Sequence, residues 1–283
     1  SVINMETQIP TFAWDKKYNI SVGLEGGRFG HFAPSIRYEQ KLGKRLSLSF
    51  WGQHLHNDGN YPFTLYFTND RSDSTSREYR KNSEVTLTAA DLNLFYQIDS
   101  RSTLHTKMHY TQGYHALPGP VIYYNSHASE RSKEAVTFAQ TRYKYMSEKF
   151  RMQLLAKLQR SNDIYEDTAA SNISGFLRNE YMQQEGYLSA ALAYTPISGL
   201  TLSYSADVAI NNLESNLKQN SHVDRHTLLN VVAMKYQYRW VTINGNLLHT
   251  FINDIAQSPN MTNAVTTPLQ HRYSQVSPYV GIT

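Results

Sequence analysis

The residues of this 283-residue chain best suited to chemistry are imidazoles and carboxylates set two or three apart. His54-Leu55-His56 puts two imidazoles on one face of an extended strand, with Asn57-Asp58 next in the chain, because side chains two apart share a face. Two donors fall one short of the three protein ligands a metal centre normally uses, so a polar strand end is expected there. His105, Lys107 and His109 share a face in the same way, and no oriented nucleophile stands near them. Asn69-Asp70-Arg71-Ser72-Asp73-Ser74 offers two carboxylates three apart, oxygen donors of the kind calcium takes. The spacing matches no defined calcium loop, and Arg71 and Arg77 offset the charge. A solvated loop is expected there, and no metal or cofactor is predicted anywhere.

Aromatic residues form the second group. Tyr61-Pro62-Phe63, Tyr66-Phe67 and Tyr123-Tyr124 fall in segments expected to be loops. Loop aromatics carry apolar surface that needs a partner. Tyr61, Phe63, Tyr66, Tyr123 and Tyr124 are therefore candidate ligand contacts, stacking on a small molecule or packing under a lid protein. Packing on one another to order the loops is the equal alternative. No Ser/His/Asp set is apparent. The glycine-rich stretch Gly23 to Gly30 lies between strands with no helix following, so it is no phosphate-binding loop.

Composition narrows the field further. With no Cys there is no disulfide framework and no cysteine nucleophile. A net charge of +4 from 27 Lys+Arg and 23 Asp+Glu is too small to point to nucleic acid. No apolar run approaches the ~20 residues of a membrane helix, and mean hydropathy is −0.52.

The elements that must position these groups are strands. Tyr18, Ile20, Val22 and Leu24 alternate with polar or small residues, as do Leu46, Leu48 and Phe50. The pattern is clearest at Met152, Leu154, Ala156 and Leu158 against Arg151, Gln153 and Lys157, and at Leu200 to Val208. Period-two alternation of this kind predicts about twelve strands and almost no helix. Short connections at 42–45, 98–102, 146–149, 195–199 and 238–240 alternate with long ones near 56–84, 113–133, 160–179, 211–225 and 252–271. In an antiparallel meander this sends every short turn to one rim and every long loop to the other, as in outer-membrane barrels. Tyr143, Tyr145, Tyr194, Tyr236, Tyr238 and Trp240 gather beside short turns, where an interfacial aromatic girdle belongs. A soluble β-sandwich, with loops spread over both ends, is the weaker alternative. The expected fold is thus all-β, an antiparallel transmembrane β-barrel. Its outward residues meet outer-membrane lipid and its polar residues line a wet interior, which accounts for the low hydropathy.

Several short motifs resemble one family. Val2-Ile3-Asn4-Met5-Glu6-Thr7 is similar to the last plug strand of TonB-dependent outer-membrane receptors, and Tyr18 to Gly30 resembles their first barrel hairpin. Ser35 to Gly43 fits the second strand and its turn. Leu117-Pro118-Gly119-Pro120-Val121-Ile122-Tyr123-Tyr124-Asn125 resembles a loop of cobalamin-receptor-like members of Bacteroidetes type. Tyr187 to Ala191, Arg225 to Asn230 and Leu247 to Thr250 agree with the same group.

The resemblance implies a plug inside a 22-stranded barrel. Residues 1–12 would be the end of the plug domain and residues 13–283 the N-terminal part of the barrel, about twelve consecutive strands. It implies uptake of a large scarce nutrient, cobalamin or a ferric siderophore, across a bacterial outer membrane. The remaining partners would be TonB, the rest of the plug and a surface lipoprotein lid. Lys107, Arg142, Lys144, Arg151 and Lys157 would then face the plug. A self-contained twelve-stranded pore or outer-membrane enzyme is the alternative.

Overall fold

The structure is a computed structural model that describes residues 7–13, 16–69, 72–119, 127–170, 173–217, 222–257 and 269–282. Its elements are strands throughout: β1 (Tyr18–Gly26), β2 (Phe32–Lys41), β3 (Leu46–Asn57), β4 (Pro62–Asn69), β5 (Ser72–Tyr79), β6 (Val85–Gln97) and β7 (Ser102–Leu117). They continue as β8 (Glu130–Met146), β9 (Phe150–Asp167), β10 (Leu177–Tyr194), β11 (Leu200–Ser215), β12 (His222–Tyr238), β13 (Val241–Gln257) and β14 (Leu269–Ile282). Twelve of them pair in chain order into one antiparallel sheet, and β4 pairs with β5 in a separate hairpin. No helix of the described residues is long and apolar enough to cross a membrane.

Register assigns the faces. Tyr18↔Gln40, Ile20↔Tyr38 and Val22↔Ile36 begin one outward row, which continues through Tyr38↔Phe50 and Phe50↔Leu92. Leu92↔Met108, Met108↔Ala139, Ala139↔Leu158 and Leu158↔Gly186 carry it on to Ile210. The alternate residues Asp91, His109, Phe138, Gln159 and Glu185 face the other way. A single sheet has no second layer to cover its apolar face. Val22 is accordingly 75%, Leu158 70% and Leu188 60% exposed, and among the described residues only Ala33, Phe95 and Ala116 of the apolar side chains are buried. A sandwich would bury these outward residues at about 1.5–3 kcal/mol each, so the sandwich alternative falls.

Two expectations about loops need correction. The segment 56–84, expected as one long loop, contains the β4–β5 hairpin, paired from Pro62↔Tyr79 to Asn69↔Ser72. Its strand formers Phe63, Thr64, Tyr66 and Phe67 carry the propensity, but neither face is consistently apolar, so the alternation signal is lost. The strands also run further than expected. β9 and β10 reach 18 residues each, against the 9–11 a tilted barrel strand needs to cross a bilayer. The added lengths, such as Ser161-Asn162-Asp163 and Arg178-Asn179-Glu180, are polar on both faces. Hydrophobic contrast fades where both faces are wet, although ladder hydrogen bonds continue.

The short-turn rim is tightly made. Gly199 lies at φ 83°, and a Cβ there would collide with the Gln237 carbonyl. The Gly199 carbonyl meanwhile accepts from Gln237 N at 2.8 Å. Glycine is thus required at this turn by conformation and by close approach.

Candidate functional site

The polar face holds a constellation centred on Phe138. His109 Nδ1 lies 2.7 Å and Lys107 Nζ 3.3 Å from Asp91 Oδ1, while Lys157 Nζ reaches Glu185 Oε1 at 3.1 Å. Both ammonium groups stand over the Phe138 ring, at 5.8 and 5.6 Å from its centroid, and His109 stacks on it at 4.8 Å. Cross-strand register builds this cluster: Asp91 opposes His109, His109 opposes Phe138, and Phe138 opposes Gln159. Cation–π and ion-pair contacts therefore converge on one ring. Nearer the short-turn rim His105 Nε2 pairs with Asn93 Oδ1 at 3.0 Å and stacks on Phe95 at 4.4 Å.

All five candidate plug-facing residues, Lys107, Arg142, Lys144, Arg151 and Lys157, lie on this one face by register. Lys107 and Lys157 meet carboxylates of neighbouring strands. Asp91, Glu185 and Phe138 were not singled out by sequence reasoning, because only the strand pairing brings them beside the lysines. A pocket of about 670 Å³ separates the N-terminal segment, Gln8 to Pro10 and Phe12, from Lys44, Arg45, His105, Arg142 and Lys144. Among the described residues its lining is basic, with Lys41, Lys44, Arg45, Arg142 and Lys144.

The long-loop rim holds the aromatics. Tyr61 makes edge-on contacts with Phe29 at 6.2 Å and with Phe63 at 6.4 Å, while Tyr66 is 78% exposed. Tyr61 and Phe63 thus pack with a third ring, and Tyr66 stands free in solvent. Tyr123 and Tyr124 lie outside the described residues, as does much of the Leu117 to Asn125 motif. Asp70 and Arg71 lie there too, with Val2 to Glu6. Arg80, a buried residue, donates from its backbone to the Tyr61 carbonyl at 3.0 Å and from its guanidinium to the Gly119 carbonyl. Its Nε and Nη1 have no hydrogen-bond partner among the described residues. Asn82, at φ 51°, clamps the ends of two strands by donating to the Leu117 and Glu130 carbonyls at 2.9 and 2.8 Å.

The histidine pair is spoken for locally. His54 Nδ1 meets Thr88 Oγ1 at 2.9 Å, His56 Nδ1 meets Thr86 Oγ1 at 3.1 Å, and His56 Nε2 meets Asp58 at 3.0 Å. No group of three metal-ligating side chains occurs among the described residues.

Solved structures match this arrangement closely in shape. The siderophore receptor PiuA from Acinetobacter baumannii superposes with a TM-score of 0.68 at 8% identity, over 95% of this chain and 47% of that one. The copper transporter OprC gives 0.66 at 12% identity, over 94% and 42%. The open form of the ferric-catecholate import receptor Fiu from E. coli K12 gives 0.62 at 8%, over 95% and 51%. The fold is that of an outer-membrane β-barrel. This chain spans about half the length of these structures, and its twelve-stranded sheet superposes on part of such a barrel. No protein-family model matches the sequence, and no curated protein does. Those solved structures are receptors and transporters rather than enzymes.

Proposed function

We propose that this chain is barrel wall of a TonB-dependent outer-membrane receptor that takes up a large scarce nutrient, a ferric siderophore or cobalamin. The observation that carries the proposal is the likeness of one open twelve-stranded sheet with an exposed apolar face to receptor and transporter barrels at TM-scores of 0.62–0.68. In this proposal residues 1–12 end the plug, and the wall that carries Arg142 and Lys144 faces that plug. Lys107, Arg151 and Lys157 line the same wall. Tyr61, Phe63, Tyr66, Tyr123 and Tyr124 contact the ligand or a lipoprotein lid at the long-loop rim. TonB, energised across the inner membrane, rearranges the plug.

A self-contained twelve-stranded pore would need β1 to pair with β14. In the described sheet β1 pairs only with β2, and β14 only with β13, which favours the receptor. The test is binding of a ferric catecholate and of cobalamin to the full-length protein by tryptophan fluorescence. Saturable binding of one of them, with uptake abolished when TonB is deleted, is expected. Binding of neither, or uptake that persists without TonB, overturns the proposal.

A further inference from the structure

The outward face changes character at β12. Along one register row Leu154, Ala190 and Ala206 are apolar, and the row then continues through Asn230 and His249 before returning to Val276. Asn230 lies six residues from Tyr236, an outward aromatic beside the short turn. In the outer-membrane reading proposed above, that is about 15 Å up a wall of tilted strands. The height is close to the middle of the hydrocarbon band, where lipid offers no hydrogen-bond partner. An amide and an imidazole side by side at this depth are costly, and polar groups kept there mark function.

The sheet satisfies this pair by half. The Tyr204 hydroxyl donates to Asn230 Oδ1 at 3.1 Å, and His249 Nε2 lies 3.3 Å from Ser274 Oγ. With Nε2 carrying the ring proton and donating to Ser274, Nδ1 of His249 is a bare acceptor. Neither that Nδ1 nor the Asn230 amide nitrogen has a hydrogen-bond partner among the described residues. Asn230 and His249 are directly opposed on the ladder, and opposed side chains stand away from the sheet together rather than towards each other. An apolar frame surrounds them. Val232, Leu247 and Val276 are 58%, 47% and 55% exposed, and Leu228 opposes Phe251 on the long-loop side.

An unused donor beside an unused acceptor, ringed by exposed aliphatic side chains, is complementary to a copy of itself turned about a two-fold axis. We propose that this face is a membrane-embedded interface with a second copy of this chain. Across the axis the Asn230 amide donates to Nδ1 of the second copy's His249, and the reciprocal bond forms with the roles exchanged. Val232, Leu247 and Val276 pack around the two bonds. Within a bilayer, packing and hydrogen bonds drive association between crossing elements, because lipid already solvates apolar surface. Lipid therefore matches the frame but leaves the central pair unpaid, whereas a second copy matches both. The interface rests on the outer-membrane assignment proposed above, since only there does this face lie out of reach of water.

The test uses the full-length receptor reconstituted in phospholipid vesicles. Insertion is read first, by heat-modifiable gel mobility. Failure to insert defeats the membrane assignment, whereas insertion as a monomer defeats the interface alone. Self-association is then measured by single-molecule photobleaching over a range of protein-to-lipid ratios. Two copies per complex are expected, and Asn230→Leu with His249→Leu, which makes the face wholly apolar, is expected to weaken the dimer by about tenfold or more. Cysteine cross-linking in otherwise unaltered protein keeps the test independent of how that variant folds. Val232→Cys should cross-link the two copies, and Leu158→Cys, on the outward face of β9, should not. A receptor that stays monomeric at every ratio overturns the proposal, because the polar pair is then satisfied within one copy. A dimer indifferent to the double substitution, or one cross-linked through residue 158 and not through 232, overturns it too, since the copies then meet elsewhere.

Discussion

His109 Nδ1 sits 2.7 Å from Asp91 Oδ1, across the β6–β7 ladder. Lys107, two residues away on the same face, reaches the same oxygen at 3.3 Å. One carboxylate therefore orders two basic side chains around the Phe138 ring. Asp91→Ala is expected to destabilise the folded protein by about 1–2 kcal/mol, the usual cost of losing charge-assisted hydrogen bonds on a partly solvated wall. Urea titration in detergent micelles checks this. An unchanged midpoint would mean that water replaces the carboxylate without loss.

Neighbouring residues on one strand should respond oppositely to charge. Leu188 faces outward and Ser189 inward, opposite Ala156 and Leu155 respectively. Leu188→Arg is expected to cost about 2–4 kcal/mol of stability in a bilayer, the penalty for a cation on the lipid face near mid-depth. Ser189→Arg should cost little. Folded fraction in lipid vesicles, read by heat-modifiable gel mobility, gives both values, and similar costs for the two would refute the face assignment.

Asp99 holds the β6–β7 turn at the short-turn rim. Its Oδ1 accepts from Arg101 N at 2.7 Å and its Oδ2 from the Ser102 hydroxyl at 3.2 Å. These bonds, that from the Arg101 backbone first, hold its carboxyl below the ordinary 3.8. A depressed pKa stabilises the fold above the unfolded value and loses that contribution as pH falls through the folded one. The stability difference between wild type and Asp99→Ala should therefore stay constant from neutral pH down to pH 3.8 and vanish only below it. Midpoints measured across an acid series would show this. A difference already gone at pH 5 would contradict it.

Asn82 combines a left-handed backbone with two carbonyl clamps. Asn82→Gly keeps the backbone and loses the bonds, whereas Asn82→Ala loses the bonds and adds strain of about 1–2 kcal/mol. Alanine is expected to be the more damaging substitution. Hydrogen exchange at the β7 and β8 ends is the readout, and equal protection in the two variants would show that the φ carries no strain.

Much of the fold was written in the chain as periodicity. Leu154, Ala156 and Leu158 against Gln153, Leu155 and Lys157 suffice to define a strand and its lipid face, because side chains alternate strictly along extended backbone. The spacing of short and long connections assigned the rims for the same reason. The β4–β5 hairpin and the upper halves of β9 and β10 escaped, since their faces are equally polar and only ladder bonds hold them. The candidate site was legible in part. His105, Lys107 and Lys157 could be placed on one face from their own strands.

Their partners could not. Asp91 lies 16 residues before Lys107, and Glu185 lies 28 after Lys157. Which carboxylate meets which ammonium depends on register, and a slip of one residue would turn every partner to the opposite face. The sequence alone determined that strands form, which of their faces is apolar, and which rim bears the loops, because each is a local property of alternating side chains. Only the tertiary structure decided that one ring gathers two lysines and a histidine. It likewise decided that Asn230 stands beside His249 on the outward face, because both groupings are made across strands by hydrogen-bond register.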